Sequence, residues 1–509
     1  MKKILSLVLA LFLLLPTFNL IACAKAQDQQ ATNVIRVCNC EDYIDESLLE
    51  EFTKQTGIEV IYSTYGTNEN LYNELVINPN SYDLVVPSEY MIEKLAVEGR
   101  LNKLDFNNPY LQDYQNNLSP FIEERLKGIQ ISQTEESIYD YMVGYMWGTM
   151  GWVYNTKNVT VDDVRSWDAP FKNQALNKKI TIKDAVRDSY IVGLAMAYKD
   201  QLIEANKNND SIAISEILNR TDEQSIELVG DTLTALKDKL YGFEVDSGKN
   251  DIVLGRIDAY VAWSGDAAYA IDVAAGLYED EEVGELEEEV PLSYYIPDEG
   301  SNIWFDGFVM PSGSKNYDVV YKFLEFISRS SSVYANMNYT GYTSMIAKGD
   351  DFEVEDEDGN LYTTNLFDEV VLGWFDESED LEEGEGITVD LSYFFGGTPE
   401  EHSVVVSEEG YGRLIAQYPT EEEVSRCAVM SYFSGEELMA INEMWEHVKG
   451  ETLPTEIIIM TIVIVVLLAV LMILYRNKEK LSWLKLPERK STYAQRKGLK
   501  LISREYKKY

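Results

Sequence analysis

Residues 34–99 decide the fold, and they read VIRVCNCEDYIDESLLEEFTKQTGIEVIYSTYGTNENLYNELVINPNSYDLVVPSEYMIEKLAVEG. Their apolar patterns alternate between strand and helix, with strands expected at 34–37, 58–62 and 83–87 and helices at 46–56, 71–76 and 91–98. Gly57 and Gly99 stand where two of these helices end. The order β-α-β-α-β-α within about 65 residues predicts an α/β unit with a mainly parallel sheet.

The sequence pattern from about residue 147 onward predicts a second α/β region. A β-rich stretch, WGTMGWVY at 147–154, separates the two regions. We expect lobe 1 at 34–146 with a return at about 305–345, lobe 2 at 147–304 with a return at about 420–450, and an acidic insertion at 346–419. The stretches Glu279–Glu289 and Gly349–Gly386 are rich in Asp and Glu, which predicts solvated loops.

The charge balance limits the partners of this chain. Its 509 residues include 87 Asp and Glu against 43 Lys and Arg, for a formal net charge of −44. Such a surface repels phosphate, which argues against nucleic acid as a partner. With two His and four Cys, the sequence offers little for a His-based catalytic triad or a Cys/His metal cage, and we expect no cofactor and no metal.

Both ends of the chain predict attachment to a membrane. Residues 1–22 have the pattern of a secretory signal peptide, and Cys23 resembles the lipidated cysteine of bacterial lipoproteins, at the start of a linker at 23–33. Residues 456–475 enclose an apolar run that would span about 27 Å as a helix, close to a bilayer core. The tail 476–509 has 12 Lys and Arg against three Glu, so we expect it in the cytoplasm and the acidic part outside the cell.

Carboxylates and aromatic side chains recur together just after the predicted strands. In parallel α/β sheets, ligands bind beyond the carboxyl ends of the strands. The segments concerned are 39–43, 87–90, 183–188, 263–266 and 304–306. Carboxylates neutralise an ammonium, and aromatic faces supply apolar walls with about 0.5–2 kcal/mol of cation–π attraction each. This combination favours an organic cation as the ligand.

Six sequence blocks, in their order along the chain, resemble those of bacterial spermidine/putrescine-binding proteins. They are YDLVVPSEYMIEKL at 82–95, MWGTMGWVYN at 146–155, DAVRDSYIVGLAMA at 184–197, AWSGDAAYA at 262–270, IPDEGSNIWFDGFVMP at 296–311 and NYTGYTSM at 338–345. Such proteins are the extracytoplasmic receptors of polyamine ABC transporters. The resemblance implies a two-lobe periplasmic-binding-protein fold of the type II kind, with a cleft between the lobes that closes on the ligand and with no catalysis. It also implies a permease and an ATPase as partners.

The resemblance also implies a set of ligand contacts, carried over one position at a time. They are Asp42, Tyr43, Ser88, Tyr90, Asp188, Trp263, Trp304, Asp306 and Tyr342. The acids Asp188 and Asp306 would each hold an ammonium, and the aromatic residues would form the walls. Three departures from the family pattern concern ligand preference: Cys40 stands where a Trp is common, Ala185 replaces an acid, and a late Gln is absent.

Two other functions remain open from the residues alone. The 34 Tyr residues, among them the pair Tyr294-Tyr295, allow a two-lobe receptor for ferric iron. A membrane-anchored sensor ectodomain or a surface enzyme with paired carboxylates, such as a glycosidase, is the other alternative. The tail at 476–509 is too short for a signalling domain.

Overall fold

The alternation of strands and helices that is predicted for residues 34–99 is present in the structure. The computed structural model describes residues 33–450 except 132–133, 279, 281, 285, 287, 357–358, 380 and 383–384. The first strand and helix occupy Val34–Cys40 and Ser47–Thr56, and Gly57 ends the helix with a left-handed φ of 70°. Leu48, Leu49 and Phe52 form the buried face of this helix, as their spacing predicts.

The strands and helices are numbered along the chain. The strands are β1 (Val34–Cys40), β2 (Glu59–Tyr65), β3 (Leu84–Val85), β4 (Leu101–Asn102), β5 (Met142–Asn155), β6 (Ile180–Lys183), β7 (Gly242–Glu244), β8 (Ala259–Trp263), β9 (Leu292–Tyr295), β10 (Ser301–Pro311), β11 (Thr343–Ser344), β12 (Phe352–Glu355), β13 (Leu361–Thr364), β14 (Ile387–Asp390), β15 (Ser403–Val406) and β16 (Cys427–Ala428). The helices are α1 (Ser47–Thr56), α2 (Asn68–Ile77), α3 (Glu89–Val97), α4 (Gln112–Asn117), α5 (Pro120–Gly128), α6 (Val161–Val164), α7 (Ala169–Lys172), α8 (Val186–Ala197), α9 (Lys199–Lys207), α10 (Ser211–Leu218), α11 (Glu223–Lys237), α12 (Gly248–Val253), α13 (Ser264–Ala274), α14 (Tyr317–Ile327), α15 (Ser330–Thr340), α16 (Gly373–Phe375), α17 (Ser392–Phe395), α18 (Glu408–Gln417), α19 (Glu421–Ser425) and α20 (Gly435–Lys449). Single turns of 3₁₀-helix lie at Pro109–Leu111, Ile138–Asp140 and Gln174–Leu176, and a π-helical turn at Asp368–Leu372.

Two long strands join two groups of parallel strands. The sheet runs in the order β2-β1-β3-β10-β5-β8-β6-β7. The strands β2, β1 and β3 are parallel on one side, and β8, β6 and β7 are parallel on the other. Between them, β10 and β5 are antiparallel to each other and to their outer neighbours β3 and β8. Because β5 and β10 belong to both groups, the chain crosses between the two lobes along them.

The buried apolar side chains form two clusters. One cluster of buried apolar side chains surrounds β1, β3 and the first half of β5, with Val37 and Trp147 fully buried. A second cluster surrounds β6 and α8, with Ile180 and Leu194 fully buried. All fourteen residues of β5 are buried, which accounts for its continuous run of apolar, aromatic and small residues.

The expectation of a solvated loop at Gly349–Gly386 is wrong. This stretch contains β12 and β13, which pair as a hairpin, followed by the π-helical turn and α16. Its acidic residues alternate with apolar ones that are buried, among them Phe352, Val370, Val371 and Phe375. The number of acids predicted solvent exposure, but the apolar residues between them provide enough buried surface to fold the segment. The stretch Glu279–Glu289 lies partly outside the described residues.

The segment 346–419 packs against the rest of the chain at more than one place. The Phe394 ring stacks on Trp147 with centroids 5.3 Å apart, on the lobe-1 half of β5. Arg413 of α18 forms an ion pair at 2.5 Å with Asp272 of α13, the helix that follows β8. A Cβ at Gly412 would lie 2.0 Å from the Ser293 Oγ, so glycine is needed for α18 to approach β9 this closely.

Several sequence predictions concern residues that the structure does not describe. The signal peptide at 1–22, the lipidated Cys23, the transmembrane segment at 456–475 and the tail at 476–509 lie outside the described residues. Within the described part of the chain, no helix combines the length and the apolar character needed to cross a bilayer.

Candidate ligand-binding site

The Asp306 carboxylate lies where β10 is irregular. The pairing of β10 with β5 shifts between Asp306 and Gly307, and such a shift redirects a side chain. The Tyr43 hydroxyl donates a hydrogen bond to the Asp306 Oδ2 at 2.8 Å. The Oδ1 is buried and has no hydrogen-bond partner among the described residues. Burial raises the pKa of the Asp306 carboxyl to about 6, although hydrogen bonds from Ser88 and Tyr43 oppose this rise.

Three aromatic rings form a continuous wall beside Asp306. The Tyr43 and Tyr342 ring centroids are 5.2 Å apart, and those of Tyr342 and Trp304 are 5.6 Å apart. Both contacts fall within the range of favourable edge-to-face and tilted ring pairs. The Trp304 Nε1 is buried and has no hydrogen-bond partner among the described residues.

Two glycines allow the rings to approach the strands. A Cβ at Gly148 would lie 2.5 Å from the Trp304 ring, and a Cβ at Gly265 would lie 2.3 Å from the Tyr342 ring. Both distances are below any normal carbon contact, so a larger residue at either position would displace a ring. The blocks MWGTMGW and AWSGDA therefore contain glycines that the packing of this wall requires.

A second acidic group contacts Tyr342, the middle ring of the wall. The Tyr342 hydroxyl donates a hydrogen bond to the Asp266 Oδ1 at 2.9 Å, and the Lys183 Nζ donates one to the Asp266 Oδ2 at 3.2 Å. Lys183 is 1% exposed, and its Nζ also donates to the Val245 backbone oxygen at 2.8 Å and lies 3.8 Å from the Glu244 Oε1. Both oxygens of Asp266 therefore have partners within the protein.

Trp263 and Asp188 lie next to this ion pair. The Lys183 Nζ is 4.2 Å from the centroid of the Trp263 ring, which is a cation–π geometry. Burial raises the pKa of Asp188 to about 6, against the opposing effects of the Lys183 charge and of a hydrogen bond from Trp263. Asp188 thus belongs to the same group of side chains as Trp263.

Tyr90 contacts a cation of the protein itself. The Arg187 guanidinium lies 3.7 Å from the centroid of the Tyr90 ring and 4.3 Å from that of Phe433. Its Nη2 donates a hydrogen bond to the Ser431 backbone oxygen at 2.7 Å. The Tyr90 hydroxyl donates to the Glu69 Oε1 at 3.2 Å. One face of the Tyr90 ring is therefore covered by Arg187.

Ser88 and Asp42 differ in their relation to these side chains. Ser88 forms an isolated β-bridge with Asp306 and receives a hydrogen bond from the Asn68 Nδ2 at 3.1 Å. Asp42 is exposed on a turn after β1, where its backbone has a left-handed φ of 50°. The contacts connect Tyr43, Ser88, Trp304, Asp306 and Tyr342, and they place Asp188 beside Trp263. Tyr90 instead contacts Arg187 and Glu69, and Asp42 lies on the surface turn.

Sequence reasoning missed Asp266, Lys183 and Glu89. The segment Trp263–Asp266 stands out as a strand end, but nothing in the sequence shows that Lys183 pairs with its acid. Glu89 is buried, and its Oε2 accepts a hydrogen bond from the Phe305 backbone N–H at 2.9 Å. Burial raises the pKa of Glu89 to about 8, so this acid is mostly neutral at pH 7.

The pair Tyr294-Tyr295 does not form a shared metal site. The Tyr294 hydroxyl shares a hydrogen bond with the Thr149 Oγ1 at 3.0 Å in the core, and the Tyr295 hydroxyl donates to the Asp298 Oδ1 at 2.7 Å. As adjacent residues of β9, they point to opposite faces. No group of three or more His, Cys, Asp or Glu side chains placed to hold a metal ion occurs among the described residues.

Comparisons with known proteins agree with this fold. Residues 47–357 match the family model for a bacterial extracellular solute-binding protein. The spermidine/putrescine-binding periplasmic protein of Salmonella typhimurium is 28% identical over 293 residues, which cover 57% of this chain and 71% of that protein. The putrescine-binding periplasmic protein PotF of Escherichia coli is 28% identical over 321 residues, which cover 60% of this chain and 78% of that protein. The structure of the spermidine/putrescine ABC transporter substrate-binding protein PotD of Streptococcus pneumoniae aligns with a TM-score of 0.53 at 24% identity and covers 82% of this chain and 99% of that chain. This structural likeness confirms the two-lobe α/β fold.

Proposed function

The chain belongs to the bacterial extracellular solute-binding protein family, and on that premise we propose that it captures polyamines, of the putrescine and spermidine class, and delivers them to an ABC importer. Members of this family are receptors and not enzymes. The relatives from Salmonella typhimurium and Escherichia coli are named for binding these amines, which supports the choice of ligand.

The main support for the proposal is that one oxygen of the buried Asp306 carboxylate lacks a partner in the part of the chain that the structure describes. Its Oδ1 is buried without a hydrogen-bond partner, and no Lys or Arg among the described residues forms an ion pair with it. A buried carboxylate without a cation is unfavourable, so it binds a cation strongly when one is offered. An ammonium group of a ligand would supply the missing charge and the missing hydrogen bond.

The surrounding side chains favour a slender ligand with charged ends. The Tyr43, Tyr342 and Trp304 rings provide apolar contact for methylene groups. Through Asp266 and Lys183, Tyr342 is connected to Trp263 and Asp188. An alkyl chain between two ammonium groups matches this order of acid, aromatic wall and acid.

Calorimetric titration of the purified full-length chain tests the proposal. We expect saturable heat with putrescine or spermidine at pH 7 and none with sodium or ferric citrate at the same ionic strength. Absence of heat and of a thermal shift with every amine tried would contradict the proposal. A visible tyrosinate absorption band on addition of ferric citrate would instead support the iron receptor.

The partners and the attachment to the membrane are part of the same proposal and rest on the sequence. We propose that a permease and an ATPase receive the amine. We also propose that Cys23 and the segment at 456–475 hold the receptor on the outer face of the cell membrane. Membrane fractionation and protease treatment of intact cells test this arrangement. Protection of the acidic part from external protease would contradict it.

A further inference from the structure

Lobe 2 contains an ammonium site that the protein fills with its own lysine. The Lys183 Nζ contacts the Trp263 ring at 4.2 Å, the Asp266 Oδ2 at 3.2 Å and the Val245 backbone oxygen at 2.8 Å. An aromatic face, a carboxylate and a carbonyl are the groups that would bind the terminal ammonium of an organic amine. Lys183 is fully buried on β6, so its ammonium is held in place by the fold.

The lysine changes the number of acids that are available to a ligand. Asp266 uses one oxygen for Lys183 and the other for the Tyr342 hydroxyl. Glu244, 3.8 Å from the same Nζ, accepts a hydrogen bond from the Gly248 backbone N–H at 2.9 Å. Of the acids in and beside the two groups, Asp306, Asp188 and Glu89 form no ion pair with a Lys or Arg of the described residues, and the pKa of Glu89, about 8, keeps that acid mostly neutral at pH 7.

We propose that Lys183 is a specificity-determining residue, which restricts this site to linear diamines by occupying the position that a third ammonium would need. The inference rests on the proposed function and makes it narrower. A triamine would bring its additional charge towards the Lys183 ammonium, where like charges repel and both oxygens of Asp266 are already hydrogen-bonded. A diamine places its two charges at Asp306 and Asp188, where each ammonium has a carboxylate partner that offsets the nearby charge of Lys183.

The test compares putrescine with spermidine on the wild-type chain and on Lys183→Met, by calorimetric titration at pH 7 and constant ionic strength. We expect the wild type to bind putrescine at least about tenfold more tightly than spermidine. Lys183→Met leaves Asp266 free for the third ammonium, so the preference for putrescine falls by about tenfold or more. The matched control is Lys179→Met, which removes the same charge just before β6, where the Lys179 Nζ contacts the Arg256 backbone oxygen at 3.4 Å. It keeps the wild-type preference.

Each outcome decides between the two claims. A folded Lys183→Met with the wild-type preference overturns the inference and leaves the proposed function in place. If Lys183→Met does not fold, the wild-type measurement decides alone, because equal or tighter binding of spermidine also overturns the inference. A wild-type chain that binds neither amine overturns the proposed function and the inference with it.

Discussion

Asp306 and Asp266 each contact a tyrosine of the same aromatic wall, and they differ in the groups that satisfy their oxygens. Each accepts a hydrogen bond from a tyrosine hydroxyl, Tyr43 in one case and Tyr342 in the other. Lys183 completes the contacts of Asp266, whereas the second oxygen of Asp306 has no partner among the described residues. The same residue type in a similar tyrosine contact is therefore paired with a lysine in one case and, within the described part of the chain, left with an unpartnered oxygen in the other.

Replacing the unpaired acid should have the largest effect. Asp306→Asn removes the charge that would hold one ammonium, and loss of one partner of a buried ion pair costs about 2–5 kcal/mol. We expect amine affinity to fall by about 100-fold or more in calorimetric titration. Asp318→Asn, at an exposed acid of α14, is the matched control and should bind as the wild type does. Unchanged affinity in a folded Asp306→Asn would place the ligand elsewhere.

The pH dependence of binding should follow the ionisation of Asp306 and Asp188. The pKa of each carboxyl is about 6, so both are mostly protonated at pH 5 and mostly ionised at pH 7.5. Since the ionised form binds the ammonium, affinity should rise with pH, by about tenfold for each acid across this range. Titrations at pH 5, 6 and 7.5 measure the slope. In Asp306→Asn the slope should be about half, and a slope of the opposite sign would contradict the assignment.

The aromatic wall can be disturbed without a change of charge. Gly265→Ala would place a Cβ 2.3 Å from the Tyr342 ring, and such overpacking costs about 1–3 kcal/mol. Urea denaturation should show this loss of unfolding free energy, and amine affinity should fall as Tyr342 moves. Gly242→Ala is the control, because a Cβ there meets nothing within 4 Å. Equal stability of the two variants would mean that the wall tolerates a shifted ring.

The smallest effect on binding is expected at Glu89, next to Ser88. The pKa of Glu89 is about 8, so at pH 6.5 it is neutral and Glu89→Gln should change amine affinity by less than about threefold. Because the pKa of Glu89 is raised in the folded state, the free energy of unfolding should fall as the pH rises from about 4.5 to 8, since the unfolded chain releases this proton while the folded chain keeps it. Glu89→Gln should therefore stabilise the chain at pH 8.5 more than at pH 5, as measured by urea denaturation. A large loss of affinity at pH 6.5 would show that Glu89 carries charge in the site.

The sequence predicts the repeating elements better than the pairings between distant residues. Local periodicity locates β1, α1 and their neighbours, because burial of one face requires a regular spacing of apolar residues. The stretch Gly349–Gly386 predicts a solvated loop because its many acids obscure the apolar residues that fold it. The boundaries given for the lobes remain a prediction.

The same limit applies to the candidate site, because its contacts join residues that are far apart in the chain. Tyr43 and Asp306 are 263 residues apart, and only the family resemblance connects them in advance. Lys183 and Asp266 are 83 residues apart, and no local pattern indicates that a strand end and a helix N-terminus bring them together. Chain topology determines such pairs, and only the structure shows that Lys183 pairs with Asp266.

The most direct measurement is a crystal structure of the chain with putrescine. One ammonium nitrogen should lie within about 3.2 Å of an Asp306 carboxylate oxygen, with the methylene chain against Tyr342 and Trp304. The Lys183 ammonium should keep its place on Asp266. Putrescine bound away from Asp306, or Lys183 displaced from Asp266 by the ligand, would contradict this account.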